Sequence, residues 1–556
     1  FRRRAEPWIR AACDALRPFL ATRGGPGEMV QAENEVDIWT RFYEDQMGFL
    51  ERPGHYQEFL RRKYGKLEKL NRAWRMKLRS FNAARPVTHD LIADPAFHRR
   101  WRDFCEFQLQ HSVEVGAWAV ACYRREKLGV PLYTNGYACF HVQHGRELER
   151  LSGLYGTDLY PVREFSGTRN ERRHYVESVL HLRSFSKLPY IAEFEAGVWH
   201  GYHYMLGCLP PNHYRLTNLS MLQAGAAGWN WYMLVNRDNW YMCPINEWGR
   251  KRNELFPVFA GIVQLFRRLA PPDCERLSST AATFDVAAMA DVKAGWQENP
   301  VLEALARADI AYEFFDVETG RQAKPVIFYA GPQHMASAAQ RRLLAAVRAG
   351  GTLVLFHNRP RTDENIAPCN RLGIPDPDRI LENHLVELEL GREKVRVQSP
   401  LFVHDRVPGL PIVARRVMDE AAWSLEEETG FERRAVGTRY RVGFVRRVGR
   451  GRIVALGVKP SPELMPALHR WLGVDVPARS LVPDVSCALL RRGRRLFAVV
   501  VNNGEEEKFA GVSLGRRALG RRRRAWNLEN GETVSLAAGT LAVRVPRKDG
   551  VVIEIG

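Results

Sequence analysis

The chain reads as an α/β protein: a (β/α)8 barrel, then a doubly wound α/β domain, then one or two β-rich C-terminal modules. Three observations point there. From Met29 to about Phe266 short apolar runs alternate with amphipathic helical stretches, the pattern of a parallel β/α structure. Each apolar run ends in polar or aromatic residues, which is where a barrel places its chemistry. After Pro271–Pro272 the pattern changes, first to a second set of alternating strands and helices and then to short strands with turn signals.

The elements follow in order. Strands are expected at residues 28–32, 131–134, 156–160, 189–192 and 227–234. Between the first two, residues 55–74 carry Tyr56, Phe59, Leu60, Tyr64, Leu67 and Leu70 at helical spacing, broken at Gly65, and residues 101–127 form a second long helix. Beyond the proline pair, strands at 281–290, 311–316, 326–330 and 352–356 alternate with helices at 300–307 and 337–349, the latter stopped by Gly350–Gly351. From about Asn383 the strands are short, and one helix at 463–472 interrupts them. The expected domains are therefore 1–270, 271–395 and 396–556.

A chain of 556 residues is too long for one core. No run reaches the roughly 18–20 apolar residues of a membrane helix, so no membrane partner is expected. Lys+Arg 82 against Asp+Glu 63 leaves +19, which raises nucleic acid as a partner. The arginines are spread along the whole chain, however. The densest runs, 491–495 and 521–524, lie between strand-like segments as solvated hairpin ends would, so no nucleic-acid partner is expected. Nine cysteines without a C-x-x-C or pairing pattern favour reduced thiols and no zinc site. No metal or other cofactor is expected. A cytoplasmic location follows, with secretion left open because the chain starts without Met, in what reads as the middle of a helix.

Glycosidic bond cleavage with retention needs two carboxyl groups about 5–5.5 Å apart, one to protonate the leaving oxygen and one to attack. In a barrel they come from the ends of different strands. Glu35 ends the run Glu28-Met-Val-Gln-Ala-Glu-Asn-Glu35, with the Asn34 amide beside it for a sugar 2-hydroxyl; Glu193 ends Leu188-Pro-Tyr-Ile-Ala-Glu193. By spacing alone Glu33, Glu35, Glu193 and Glu195 read equally as solvated or ion-paired strand-end residues.

Val30-Gln-Ala-Glu-Asn-Glu35, after Gly24-Gly25-Pro26, resembles the fourth-strand motif of glycoside hydrolase family 35 β-galactosidases. Glu193-Phe-Glu-Ala-Gly197 is similar to that family's seventh-strand nucleophile motif. Pro131-Leu-Tyr-Thr-Asn135 and Thr157-Asp-Leu-Tyr160-Pro161 resemble the fifth and sixth strand ends. Gly228-Trp-Asn-Trp-Tyr232-Met and Tyr241-Met-Cys-Pro-Ile-Asn-Glu-Trp-Gly249 resemble the eighth strand and the segment after it. A second resemblance is to family 42 of the same clan: Tyr64-Gly-Lys-Leu-Glu-Lys-Leu-Asn71-Arg-Ala-Trp74 looks like its helix after the Asn-Glu motif. Val347-Arg-Ala-Gly-Gly-Thr-Leu-Val-Leu looks like part of its middle, trimerisation domain, a relative of class I glutamine amidotransferases. No Gly-x-Cys-x-Gly elbow is present, which points the domain to assembly.

The resemblance implies a retaining exo-glycosidase acting on terminal β-D-galactosides, with Glu35 as acid/base, Glu193 as nucleophile and an oligosaccharide or β-galactoside as substrate. Tyr232 and Tyr241 would stand against the galactose or the nucleophile, and Asn135, Tyr160, Trp199 and Trp231 would wall the pocket. A homo-oligomer of trimer type would form through the α/β domain. The alternatives are a catalytically silent carbohydrate-binding or assembly protein, and a clan relative acting on a glucosaminide or glucoside. Two departures stand out. Glu195, two residues from Glu193, is expected on the same strand face, raising the nucleophile's pKa or pairing with an amino sugar. If Glu35 ends strand four, three β/α units of roughly 30 residues each should precede it. The sequence is thus expected to hold strands four to eight, with one to three missing from it.

Overall fold

The computed structural model describes residues 2–36, 54–87, 95–137, 145–161, 169–199, 209–285, 299–321, 323–417 and 437–556. The chain divides into two compact units, one running to Asp273 and the other starting at Cys274.

In the first unit five strands pair in parallel: β1 (Val30–Glu33), β2 (Leu132–Tyr137), β3 (Gly153–Leu159), β4 (Tyr190–Glu195) and, after the short β5 (Val198–Trp199), β6 (Gly228–Tyr232). Their order in the sheet, β1-β2-β3-β4-β6, follows the chain without a reversal. A doubly wound sheet would reverse at a switch point; monotonic order is the signature of a (β/α)8 barrel, here in five successive strands. All five overlap the runs expected from sequence. Strands of this kind are covered on both faces, and β3 and β4 are buried along nearly their whole length. Gly156 is required for the fit of these two strands: a Cβ there would stand 2.6 Å from the Ala192 Cβ.

Helices α1 (Arg2–Leu16), α2 (His55–Tyr64), α3 (Leu67–Trp74), α4 (Pro95–Arg125), α5 (Gly145–Ser152), α6 (Arg169–Phe185), α7 (Pro211–Ala224) and α8 (Phe256–Leu269) accompany the sheet. The break at Gly65 is real: its φ is 69°, a left-handed value that ends α2. The helical hairpin is pinned to α4 by one carboxylate. Asp103, fully buried, accepts from the Tyr64 hydroxyl at 2.6 Å and from Trp74 Nε1 at 2.7 Å, and pairs with Lys63 Nζ at 2.9 Å and Arg99 Nε at 3.4 Å.

In the second unit, after β8 (Glu275–Arg276), nine strands form one sheet: β9 (Thr280–Phe284), β10 (Tyr312–Asp316), β11 (Val326–Phe328), β12 (Thr352–Leu355), β13 (Arg379–Leu390), β14 (Glu393–Val403), β15 (Leu410–Arg416), β16 (Arg439–Val448) and β17 (Gly451–Leu456). Their order is β10-β9-β11-β12-β17-β16-β15-β13-β14. The first five are parallel and reverse direction of winding at β9, the doubly wound pattern; the last four are antiparallel. The expected division at 395/396 falls inside β14, because the antiparallel hairpins continue the α/β sheet. A two-sheet β module follows from Ala478, with a core of Val, Leu, Ile and Ala side chains. The arginine run 491–495 does sit at a hairpin end, where Arg491 pairs with Glu275 and Arg495 with Glu554.

Replacing Asp103 with Ala takes the buried acceptor from Arg99 and from two aromatic donors, and should lower the unfolding free energy of the barrel unit by roughly 3–5 kcal/mol. Glu106→Ala removes only Lys63's half-exposed second partner and should cost under about 1 kcal/mol. Denaturant titrations of both variants check the contrast.

Candidate active site

Polar side chains converge at the carboxyl ends of β1 to β4, where a barrel gathers its loops. Asn135, on β2 and fully buried, is the hub. Its Nδ2 donates to Asp158 Oδ2 at 2.6 Å and to Asn34 Oδ1 at 3.2 Å, and reaches Glu193 Oε1 at 3.5 Å. Its Oδ1 accepts from Gln31 Nε2 at 2.9 Å and from the Glu35 backbone N–H at 3.3 Å. Gln31 in turn donates to Asn34 Oδ1 at 2.9 Å and accepts from the Tyr133 hydroxyl at 3.1 Å. One amide thus ties four strand ends together. Glu35 has a φ of 47°, a left-handed value that costs a non-glycine residue free energy; the bond from its N–H to Asn135 helps to hold it there.

Three carboxyl groups face one another: oxygens of Glu35, Asp158 and Glu193 all lie within 4.8 Å. Burial raises the pKa of Glu35, and its hydrogen bond with Asp158 opposes the rise. Burial likewise raises Glu193; the Tyr160 hydroxyl, which donates to Glu193 Oε2, pulls it back down, the Glu35 charge pushes it up and Arg237 pulls it down. Tyr160, raised by its own burial and by Glu193, stays a neutral donor. Tyr133 is pushed up to about 12 by burial, then by Glu193 and Asp158. Three such carboxyls are neutralised either by a cation or by shared protons. Asn135 and Tyr160 add neutral donors to the group.

Aromatic rings close one side. Tyr160 stands edge-on to Tyr232 at 6.1 Å and tilted to Trp240 at 5.7 Å, and Tyr232 meets Trp240 edge-on at 5.2 Å. Arg237 donates to the Tyr232 hydroxyl at 2.7 Å. Trp240 belongs to β7 (Trp240–Tyr241), paired with β5.

Of the residues singled out in the sequence, Asn34, Glu35, Asn135, Tyr160 and Glu193 come together, with Tyr232 beside them. Four lie elsewhere. Trp231 packs on Phe259 at 4.9 Å and donates to Asn218 Oδ1 on α7 at 3.2 Å, because it neighbours Tyr232 on a strand and points the other way. Tyr241 is 46% exposed, its hydroxyl bonded to the Asp238 carbonyl at 2.7 Å. Trp199 sits in the β5–β7 ribbon opposite Trp240. Glu195 is buried, 3.8 Å from His213 Nε2 at the start of α7. Asp158, Gln31, Tyr133, Arg237 and Trp240 were missed. Asp158 alone carried a signal, a carboxylate at a strand end inside the segment 157–161.

A family model described as "GLMA-like, second domain" matches residues 284–403. No curated protein matches the chain. Among solved structures, the chain is similar to a β-galactosidase from Bacillus circulans sp. alkalophilus, with 16% identity and a TM-score of 0.74 over 100% of this chain and 82% of that one. It is similar to a catalytic mutant of a GH42 β-galactosidase from G. stearothermophilus, with 13% identity and a TM-score of 0.69 over 90% and 75%. An exo-carrageenase GH42 from Bacteroides ovatus gives 11% identity and a TM-score of 0.58 over 90% and 62%. At these identities the likeness is one of fold.

Asn135→Asp would put a fourth carboxyl against the other three. The new group's pKa in the folded state is raised above its unfolded value, so the stability deficit should be small below about pH 4. It should widen as pH rises through the folded pKa, by about 1.4 kcal/mol per unit of that rise. Melting temperatures of variant and parent across pH check this; a deficit that shrinks with rising pH contradicts it.

Proposed function

We propose that the chain is a retaining exo-glycoside hydrolase that releases terminal β-D-galactosyl groups by double displacement. The observation that carries this reading is the approach of Glu35 and Glu193 to within 4.8 Å at the carboxyl ends of β1 and β4. That spacing suits direct attack by one carboxylate; inverting enzymes need roughly 6.5–9.5 Å to admit a water. The fold likeness to enzymes described as β-galactosidases supports the galactoside.

In the first step Glu35, protonated because burial disfavours its ionised form, gives its proton to the glycosidic oxygen. Glu193 Oε attacks the anomeric carbon as the C–O bond electrons leave with the aglycone. Tyr160 and Asn135 hold Glu193 in line and stabilise the charge it starts with. In the second step the ionised Glu35 takes a proton from water, and the hydroxide displaces Glu193. Asn34 serves the sugar 2-hydroxyl, and Tyr160, Tyr232 and Trp240 offer an aromatic wall to an apolar sugar face.

The reading includes a homo-oligomer assembled through the second unit, supported by the GLMA-like match at 284–403, and a cytoplasmic location, supported by cysteines free among the described residues. No helix among the described residues is long and apolar enough to cross a membrane.

Glu193→Gly should lower turnover of aryl β-galactosides by on the order of 10⁴-fold or more. Azide should restore it and yield the α-galactosyl azide, since azide enters on the face the carboxylate vacates. A Glu193→Gly variant with normal turnover would sink the assignment, and aryl glucosides or glucosaminides turned over faster by the parent would reassign the sugar. Tyr160→Phe removes a donor that favours ionised Glu193, so that carboxyl's pKa rises and the acidic limb of the kcat/KM profile moves to higher pH. The lost charge-assisted bond should cost roughly 10–100-fold in kcat/KM.

A further inference from the structure

Arg237 lies on the turn between β6 and β7, just beyond the strand end that carries Tyr232, and it is exposed. Backbone bonds exchanged with Trp240, at 3.1 and 2.9 Å, close that turn and set the arginine beside the aromatic wall. Tyr232 directs its guanidinium. The group donates to the Tyr232 hydroxyl at 2.7 Å, and its carbon stands 5.6 Å from the centre of the Tyr232 ring. That hydroxyl faces the site: burial raises its pKa, Arg237 lowers it, and the charges of Glu193, Glu35 and Asp158 raise it again. Tyr232 also meets Tyr160 edge-on at 6.1 Å, and Tyr160 donates to Glu193. The guanidinium therefore stands one ring away from the tyrosine that holds Glu193.

A guanidinium offers a planar fork of N–H donors that matches a carboxylate or another oxyanion. Elsewhere the chain closes such forks on itself: Arg470 grips Glu393 at 3.0 and 2.6 Å, and Arg495 grips Glu554 through two bonds of 2.6 Å. Among the described residues no carboxylate forms an ion pair with Arg237. Glu247, on the segment after β7, accepts instead from Asn236 Nδ2 at 3.0 Å. A cation left open here works against a neutral sugar. Glycoside cleavage passes through an oxocarbenium-like transition state, positive at the anomeric carbon, and a nearby positive charge raises its energy. A negative group on the sugar, seated in the fork, removes that opposition and adds a charge-assisted contact. The net charge of +19 also draws acidic molecules toward the chain.

We propose that Arg237 is a specificity-determining residue, and that the sugar taken by this site carries a negatively charged group, a sulfate ester or a carboxylate, which pairs with its guanidinium. The proposal rests on the glycosidase reading above and narrows its substrate from galactosides to acidic galactosides.

Calorimetric titration of the full chain with galactose, its 2-, 4- and 6-sulfates and galacturonic acid tests this without turnover. At least one acidic sugar should bind roughly 10-fold or more tighter than galactose, the size of one charge-assisted bond. A sulfate that wins identifies the ester, and galacturonic acid the carboxylate. In Arg237→Met the advantage over galactose should fall below about 3-fold, while Arg237→Lys, which keeps the charge but loses the fork, should retain part of it. Arg237 is exposed, so both variants should fold, and their melting temperatures check that. Turnover gives a second readout: the ratio of kcat/KM for the acidic aryl galactoside to that for the neutral one should fall about 10-fold or more in Arg237→Met. Acidic sugars that bind no tighter than galactose, or an advantage that survives in Arg237→Met, overturn the proposal. Acidic-sugar binding that depends on Arg237, with no glycoside of either charge cleaved, would refute the hydrolase reading and leave the anion recognition standing.

Discussion

The feature on which the site depends is the convergence of three carboxyl groups, those of Glu35, Asp158 and Glu193, within 4.8 Å of one another. At that separation each charge raises the cost of the next, and neutral donors stand against the carboxyls. Asn135 and Tyr160 supply the donors, and neither adds charge. Burial raises the pKa of both Glu35 and Glu193, and the Tyr160 hydroxyl pulls that of Glu193 back down. Asn135 couples that electrostatics to the fold, since it bonds Gln31, Asn34 and the backbone of Glu35 as well.

The barrel framework explains why so few residues suffice. Parallel strands in chain order bring β1 to β4 side by side, so residues separated by up to 158 positions in sequence (35 to 193) meet at one rim. Rigidity comes from strands buried on both faces and from close contacts such as Gly156 on Ala192. The helical hairpin after β1 is fixed through Asp103, a buried carboxylate held by two cations and two neutral donors.

Much of this was legible in the sequence, for identifiable reasons. β3 and β4 stand out because they are buried along nearly their whole length, and the break at Gly65 is visible because few other residues take that φ comfortably. Glu35 and Glu193 stood out as carboxylates that end such runs. Trp231 and Tyr232 could have been told apart by alternation alone, since adjacent strand residues point to opposite faces. Glu195 could not: its approach to His213 joins β4 to a helix that starts 16 residues later, a meeting that strand alternation does not reveal. The division at 395/396 failed for a related reason, because antiparallel hairpins that read as a separate β module extend the neighbouring α/β sheet edge to edge. Asp158 was passed over because an aspartate within a strand-end motif looks like any polar terminus; only the meeting of three strand ends shows what surrounds it.

The most direct measurement is covalent trapping with a 2-deoxy-2-fluoro-β-galactosyl fluoride or dinitrophenolate, followed by peptide mapping. The fluorine slows both steps, and the reactive leaving group lets the first outrun the second, so the nucleophile stays labelled. One label per chain on the peptide holding Glu193, lost in Glu193→Gln and discharged slowly by water or an acceptor sugar, is the expected result. A label on Asp158 or Glu35, or steady turnover of galactosides with inversion and no label, would contradict it.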